Sequence, residues 1–85
     1  MSTIALVDDE SSIRTSVSLA LESEGYKVDV FQNGEEALEA LESKDYDLGL
    51  FDIKMPKMDG NELLSKVRAS KNTNLKEMPI IFLTS

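Results

Sequence analysis

Short apolar runs alternate with stretches of helical periodicity along the whole chain, and this alternation constrains the fold more than any other feature. Three stretches repeat their apolar residues every three or four positions, as a helix with one buried face requires. The four apolar runs around them have the length of strands and read, in order, IALV, YKVDVF, YDLGLFD and MPIIFLTS. Strands separated by helices predict right-handed crossovers and a parallel sheet with helices on both faces. The predicted order of elements is βαβαβαβ.

The pattern within each run predicts where its strand lies in the sheet. The run YKVDVF alternates apolar and polar residues, which is typical of a strand at the edge. The runs IALV and LGLF are continuously apolar, which favours interior positions covered on both faces. We therefore predict an α/β fold with four parallel strands in the order 2-1-3-4, a doubly wound sheet of the flavodoxin-like type.

The residues at the ends of the first helical stretch predict its limits. Ser11 or Ser12 is expected to cap its start, and Gly25 is expected to follow its last turn. The apolar stripe of this helix is expected to consist of Ile13, Val17, Ala20 and Leu21.

The composition excludes several classes of function. The chain has 85 residues, enough for one small domain, and a net charge of −7 at pH 7. That charge disfavours contact with nucleic-acid phosphates and with anionic membranes. The chain contains neither cysteine nor histidine, which excludes disulfides, thiolate or imidazole metal ligands and histidine general bases. No apolar run has the length of a membrane span and the N-terminus is acidic, so we expect a cytoplasmic protein.

Acidic residues lie where two of the predicted interior strands end. Asp8 and Asp9 follow the first strand, and Asp52 ends the third. In open α/β sheets, ligands bind beyond the carboxyl ends of the strands where the winding reverses, here between strands 1 and 3. Three carboxylates in one place repel one another, and oxygen ligands without histidine or cysteine favour a hard cation such as Mg²⁺. Aspartate also serves as a nucleophile toward phosphorus. The alternative is that these acids only solvate the edge of the sheet.

Three motifs together resemble the receiver domain of two-component response regulators: LVDDE after the first strand, FDIKMPKMDG after the third, and PIIFLTS in the fourth. The resemblance covers the whole chain and implies a CheY-like fold. It implies that Asp52 accepts a phosphoryl group from the phosphohistidine of a sensor histidine kinase. Asp9 would bind Mg²⁺ directly, Asp8 would bind it through water or in support, and the backbone carbonyl of Lys54 would complete the protein ligands. Thr84 would be the switch hydroxyl that turns inward to the phosphoryl group.

Beyond these motifs, the stretches IALVDDE, SVSLALESEGYKV and FDIKMPKMDG are similar to the ChvI-type regulators of the OmpR/PhoB class. That similarity implies that the parent protein is a DNA-binding transcriptional regulator. It also implies a regulatory phosphoacceptor that phosphorylates itself from a phosphodonor with the help of Mg²⁺, without turnover as an enzyme.

The resemblance also implies that the chain stops early. Receivers of this class continue with a helix, a fifth strand that carries a phosphoryl-pairing lysine, and a final helix. We expect residues 1–85 to form the N-terminal part of a single receiver domain. The apolar fourth strand would then have an unpaired edge, which is a template for another chain, and we expect self-association through it. The alternative function is a truncated fragment that no longer signals and acts as a self-associating folding or assembly unit.

Two further functions compete with this interpretation. Phosphohydrolases of the haloacid-dehalogenase type also use a strand-ending aspartate with Mg²⁺, but they need a second aspartate two positions later, where this chain has Lys54. A nucleotide- or flavin-binding domain would need a glycine-rich turn after the first strand, where this chain has DDESS. Both alternatives are disfavoured by these residues.

Overall fold

The structure, a computed structural model, describes residues 2–83 of the chain. Strands and helices alternate along these residues as the sequence predicted, with one additional single-turn helix before the last strand. In chain order the elements are β1 (Thr3–Val7), α1 (Ser11–Ser23), β2 (Lys27–Phe31), α2 (Gly34–Ser43), β3 (Leu48–Asp52), α3 (Gly60–Arg68), α4 (Thr73–Lys76) and β4 (Ile80–Leu83).

The strands form one parallel sheet in the order β2-β1-β3-β4. Strand β1 lies inside the sheet, and the side chains from Ile4 to Val7 are almost completely buried. Strand β2 lies at the edge, with Lys27 and Val30 exposed, as its alternating sequence predicted. The winding reverses between β1 and β3, which confirms the predicted α/β flavodoxin-like fold.

Helices cover the two faces of the sheet unequally. On one face, α2 and α3 pack against Phe51 of β3 and form the larger apolar core. On the other face, α1 packs on a smaller cluster built around Ile4, Leu6 and Leu50. Leu83 of strand β4 packs against this second cluster, and Ile81 lies on the same face because residues two apart on a strand point the same way. Ile81 is 55% exposed. Within residues 2–83, no helix combines the length and the apolar character needed to cross a membrane.

The unequal covering explains why the predicted stripe of α1 is only partly buried. Val17 and Leu21 pack against the smaller cluster, whereas Ile13 and Ala20 are exposed and no residue of α1 is fully buried. A helix that is alone on its face of the sheet has neighbours below it and few beside it. Its apolar stripe therefore stays partly accessible to water.

The helix ends agree with the sequence at one end of α1 and differ at the other. Gly25 has φ of 94° and lies directly beyond the last turn, as predicted. The predicted serine cap at Ser11 or Ser12 is wrong, because Glu10 occupies the N-cap position and its side chain makes no capping hydrogen bond. The carboxylate of Asp8 accepts a hydrogen bond from the Glu10 N–H and turns the chain into the helix before the serines are reached.

A hydrogen-bond cluster fixes edge strand β2 to the connection between α2 and β3. Asp29 accepts hydrogen bonds from the Lys44 ammonium at 2.8 Å and from the Tyr46 hydroxyl at 2.7 Å. The Tyr46 ring packs edge-on against Phe31. The Lys44 ammonium lies 5.4 Å from the centre of the Tyr46 ring. The hydrogen bonds from Lys44 and Tyr46 hold the pKa of Asp29 below its ordinary value, so the interaction is present at neutral pH and is lost as acid protonates Asp29.

We predict that Asp29→Ala lowers the free energy of unfolding by about 1–3 kcal/mol at pH 7, because the partly buried hydroxyl of Tyr46 loses its partner. Urea unfolding followed by circular dichroism measures the change. Asp45→Ala is the matched control, since among residues 2–83 the carboxylate of Asp45 has only a long, exposed contact of 3.4 Å, to Asn74. Equal effects of the two substitutions would contradict the prediction.

Candidate functional site

The carboxyl ends of β1 and β3 bring three carboxylates together. In the register of the two strands, Val7 lies beside Phe51, so that the next residue on each strand is an aspartate, Asp8 and Asp52. Asp9 follows directly, and one carboxylate oxygen from each of the three residues lies within 4.8 Å of the others. Asp8 and Asp52 are only 4% and 5% exposed, whereas Asp9 faces the solvent. The predicted acidic site is therefore formed at the predicted edge of the sheet.

Asp8 is held through each of its polar backbone groups. Its N–H donates to the carbonyl of Phe31 at the end of β2, at 3.1 Å. Its carbonyl accepts a hydrogen bond of 2.7 Å from Nη1 of Arg14 in α1. One oxygen of its side chain accepts a hydrogen bond from the Glu10 N–H at 2.9 Å, which restricts the rotation of the carboxylate. Asp8 therefore joins β1 to both β2 and α1.

The charge of Asp52 is disfavoured by its surroundings. Burial raises the pKa of this carboxyl above its ordinary value, and the negative charges of Asp8 and Asp9 raise it further. Hydrogen bonds from the backbone N–H groups of Lys54 and Ile53 act in the opposite direction, and the first of them measures 3.3 Å. Two unit charges 4.8 Å apart repel by about 3.5 kcal/mol at an effective dielectric near 20, and closer charges repel more strongly. The site therefore favours a positive ion or a proton.

The loop between β3 and α3 is fixed to the end of β3. The Gly60 N–H donates to the Ile53 carbonyl at 2.9 Å, and a Cβ atom at Gly60 would overlap the carbonyl oxygen of Asp52. Only glycine allows this approach of helix α3 to the strand end. The side chains of Met55 and Met58 are buried in the larger core, which agrees with a packing role for both.

A tight turn at the tip of the same loop carries backbone strain. Lys57 has φ of 68°, a left-handed conformation that non-glycine residues seldom adopt. The Met58 N–H donates to the Pro56 carbonyl at 2.8 Å and closes a three-residue γ-turn around Lys57. The burial of Met58 against Gly34 of α2 holds this turn in place.

The donor set fits a hard divalent cation. It consists of carboxylate oxygens alone, which suits Mg²⁺ rather than a transition metal. Ligands of an octahedral Mg²⁺ lie about 2.9 Å apart when adjacent and about 4.1 Å apart when opposite, because each bond is about 2.0–2.1 Å long. The oxygens of the trio lie within 4.8 Å of one another, so the side chains have to move closer together to bind the same ion.

A cleft of about 510 Å³ gives access to the carboxylates. Asp9, Asp52 and Lys54 line its polar part, while Ile13 and Leu83 line its apolar part. Asp52 lines this cleft, with the other two carboxylates beside it. This arrangement suits transfer of a group to Asp52 with a bound cation next to the reacting atoms.

The structure brings most of the predicted site residues together. Asp8, Asp9 and Asp52 meet as predicted, and Lys54 lies at the same cleft, where its N–H contacts Asp52. The predicted role of Thr84 lies outside the described residues. The sequence analysis missed Arg14, which contacts the carbonyl of Asp8. The one signal in the sequence was a cationic residue one turn into the helix that follows the acidic pair.

The fold and the acidic site define the class of this protein. The family model of the response regulator receiver domain matches residues 4–85, and the chain belongs to that family. Receiver domains are the regulatory domains of two-component response regulators, which histidine kinases phosphorylate, and they are not turnover enzymes.

Relatives among characterised proteins agree with this assignment. The chain is 42% identical over 82 residues to the transcriptional regulatory protein ResD of Bacillus subtilis, covering 96% of the chain and 32% of ResD. It is 42% identical over 80 residues to the DNA-binding transcriptional regulator NtrC of Escherichia coli K12, covering 94% of the chain and 16% of NtrC. The chain thus spans a third or less of the length of these two relatives.

Solved structures show the same fold. The response regulator protein TrrA of Thermotoga maritima, in complex with Mg²⁺ and BeF, matches with a TM-score of 0.90 and 43% identity over 99% of this chain and 70% of that chain. A complex of the histidine kinase ThkA with TrrA matches with a TM-score of 0.89 and 42% identity, covering 100% of this chain and 70% of that chain.

We predict that Asp52→Asn stabilises the metal-free protein at pH 7. Because the pKa of Asp52 is raised in the folded protein, the folded state keeps its proton to a higher pH than the unfolded state does. Stability therefore falls as the pH rises from the unfolded pKa of about 3.8 through the higher folded value. Asp52→Asn has no such decrease in stability with rising pH. The difference in stability between the variant and the unmodified protein should therefore disappear below about pH 3.8.

Thermal unfolding in the presence of a chelator, repeated across the pH range, measures the difference. Asp45→Asn removes an exposed carboxylate outside the acidic site and controls for the change in net charge. If Asp52→Asn is no more stable than the unmodified protein at pH 7, the prediction is contradicted. The free-energy cost of burying the charged Asp52 would then be compensated by its hydrogen bonds.

Proposed function

We propose that this chain is the phosphoacceptor module of a response regulator and that Asp52 receives the phosphoryl group. The observation that carries the proposal is the meeting of Asp8, Asp9 and Asp52 at the carboxyl ends of β1 and β3. A carboxylate oxygen of Asp52 would form the new bond to phosphorus. The bond from phosphorus to the imidazole nitrogen of a kinase phosphohistidine would break, and its electron pair would return to the imidazole. The solved complex of ThkA with TrrA supports a sensor histidine kinase as the partner.

We propose Mg²⁺ as the cofactor, held by Asp9 directly, by Asp8 through water or in support, by Asp52, and by the backbone carbonyl of Lys54. The carboxylate oxygens of the trio suit this ion, and the similar TrrA structure holds Mg²⁺ with BeF. When bound, the ion would neutralise negative charge on the phosphoryl oxygens. Asp52 would remain rigid at the end of a buried strand, and the solvent-facing Asp9 would bind or release the ion without unfolding its surroundings. Thr84 would act as the switch hydroxyl after phosphorylation.

We further propose that residues 1–85 are the N-terminal part of a single receiver domain and that the parent protein is a cytoplasmic, DNA-binding transcriptional regulator. The similarity to ResD and NtrC, both named as transcriptional regulators, supports this proposal. We propose the OmpR/PhoB class, and its ChvI-type members within it, on the similarity of IALVDDE, SVSLALESEGYKV and FDIKMPKMDG to those regulators. With its net charge of −7, this segment would not contact nucleic acid itself.

A second function is favoured by the edge of β4. Strand β4 pairs with β3 alone among the described residues, consists only of apolar residues, and exposes 55% of Ile81. The other edge strand, β2, carries the charged residues Lys27 and Asp29, which protect an edge from pairing. We propose that two copies of the 85-residue chain pair through β4 related by a two-fold axis, and that such a chain acts as a self-associating unit that does not signal.

We predict that incubation with Mg²⁺ and acetyl phosphate adds one phosphoryl group to the chain and that Asp52→Asn abolishes the addition. Intact-mass spectrometry measures the gain directly, and omission of Mg²⁺ should prevent it. Asp59→Asn is the matched control, because Asp59 lies in the same loop region but serves as the N-cap of α3. Phosphorylation of the Asp52→Asn variant at the unmodified rate would place the acceptor elsewhere.

We predict that the 85-residue chain is a dimer in light scattering at high concentration and that Ile81→Lys makes it a monomer, because a charge on an edge strand opposes strand pairing. Val30→Lys is the control, since Val30 is 45% exposed on the opposite edge strand. A compact monomer of the unmodified chain at the highest concentration would contradict the proposal. Equal effects of the two substitutions would also contradict it.

A further inference from the structure

Arg14 uses its charged side chain on a backbone carbonyl although carboxylates are close by. Its Nη1 donates to the carbonyl oxygen of Asp8 at 2.7 Å, and the contact is partly buried. Among residues 2–83 the side chain of Arg14 forms no ion pair, and the salt bridge found there joins Lys44 to Asp29. A hydrogen bond from a charged donor is stronger than a neutral one, so this contact holds the carbonyl firmly.

The carbonyl that Arg14 holds belongs to the peptide that carries Asp9. The peptide unit is planar, so the direction of the Asp8 carbonyl also fixes the N–H and the Cα of Asp9. The N–H of Asp8 is already fixed by the carbonyl of Phe31. Arg14 therefore restrains the peptide before Asp9, and the hydrogen bond from the Glu10 N–H to the Asp8 carboxylate restrains the peptide after it. Together the two contacts limit the directions in which the Asp9 side chain leaves the backbone.

Asp9 needs this support more than its two partners. Asp8 and Asp52 are buried and accept backbone hydrogen bonds through their carboxylates, which limits their movement. Asp9 is exposed, and its carboxylate accepts no hydrogen bond from the described residues. Among the described residues, Asp9 is held through its backbone, and Arg14 of α1 supplies the contact from outside the segment Asp8–Glu10.

We propose that Arg14 is a positioning residue of the acidic site, which places Asp9 for binding of a divalent cation by fixing the Asp8–Asp9 peptide. The proposal rests on the proposed role of Asp8, Asp9 and Asp52 as a Mg²⁺ site. The positioning role and a purely electrostatic role of Arg14 predict opposite changes in Mg²⁺ affinity. A guanidinium near the acidic site repels a cation, so its removal would strengthen Mg²⁺ binding if charge alone mattered. Loss of positioning weakens binding.

The test is titration of the 85-residue chain with Mg²⁺ by isothermal calorimetry, without a phosphodonor. Removing a residue that supports a metal ligand typically weakens metal binding by about 10–100-fold, and we expect a loss of about tenfold for Arg14→Met. Arg14→Lys keeps the charge and one donor group but loses the planar guanidinium, and we expect an intermediate loss. Circular dichroism confirms the fold of each variant before titration.

Arg68 supplies a matched control at the opposite end of the sheet. Its Nη1 donates to the carbonyls of Lys76 and Met78, each at 2.7 Å, and it joins the end of α3 to the chain before β4. Arg68→Met removes the same kind of contact between an arginine and backbone carbonyls. It should lower the melting temperature and leave Mg²⁺ affinity unchanged.

The outcomes are distinct. Weaker Mg²⁺ binding in Arg14→Met, partly recovered in Arg14→Lys and absent from Arg68→Met, supports the positioning role. Unchanged or tighter binding in Arg14→Met overturns it, and so does an equal loss in Arg68→Met. If Arg14→Met does not fold, Arg14→Lys decides alone, and unchanged affinity in that variant overturns the role. Absence of Mg²⁺ binding by the unmodified chain would instead contradict the proposed metal site itself.

Discussion

The pairing of β1 with β3 is the constraint on which the rest of the structure depends. Parallel strands that are neighbours in space but not in sequence end at the same edge of the sheet, so their final side chains meet. The register that places Val7 beside Phe51 sets Asp8 beside Asp52, and a shift of one residue would direct one carboxylate to the opposite face. The apolar residues of both strands, buried on two faces, enforce that register.

Forces that act on the sheet as a whole thus hold together groups that repel one another. The unfavourable contribution to the free energy of folding comes from the two buried carboxylates, Asp8 and Asp52. The favourable contribution comes from the many apolar side chains of the core. Each surrounding element also contributes one backbone contact near the site: β2 through the Phe31 carbonyl, α1 through Arg14, and α3 through Gly60. A cation or a phosphoryl group would meet backbone positions that are already fixed, so the ordering required on binding is confined to side chains.

Most of the fold and the acidic residues of the site could be predicted from the sequence because they depend on patterns that repeat. Alternation in YKVDVF identified the edge strand, and continuous apolar runs identified the interior ones. The contacts of individual side chains could not be predicted in this way. The start of α1 is decided by the Asp8 carboxylate rather than by a serine, and the single-turn helix α4 is too short to show periodicity. Arg14 was missed because its partner is a carbonyl, which every residue possesses.

The close approach of Gly60 to Asp52 also affects how the sequence can be redesigned. Gly60 is the first residue of α3, a position where a surface helix would ordinarily be improved by replacing glycine with a better helix former. Here any side chain would meet the carbonyl oxygen of Asp52. A design procedure that scores helix propensity alone would choose alanine at this position and displace the residue on which the site is built. The poorest helix former in α3 is therefore the one that a stabilised version of this protein has to keep.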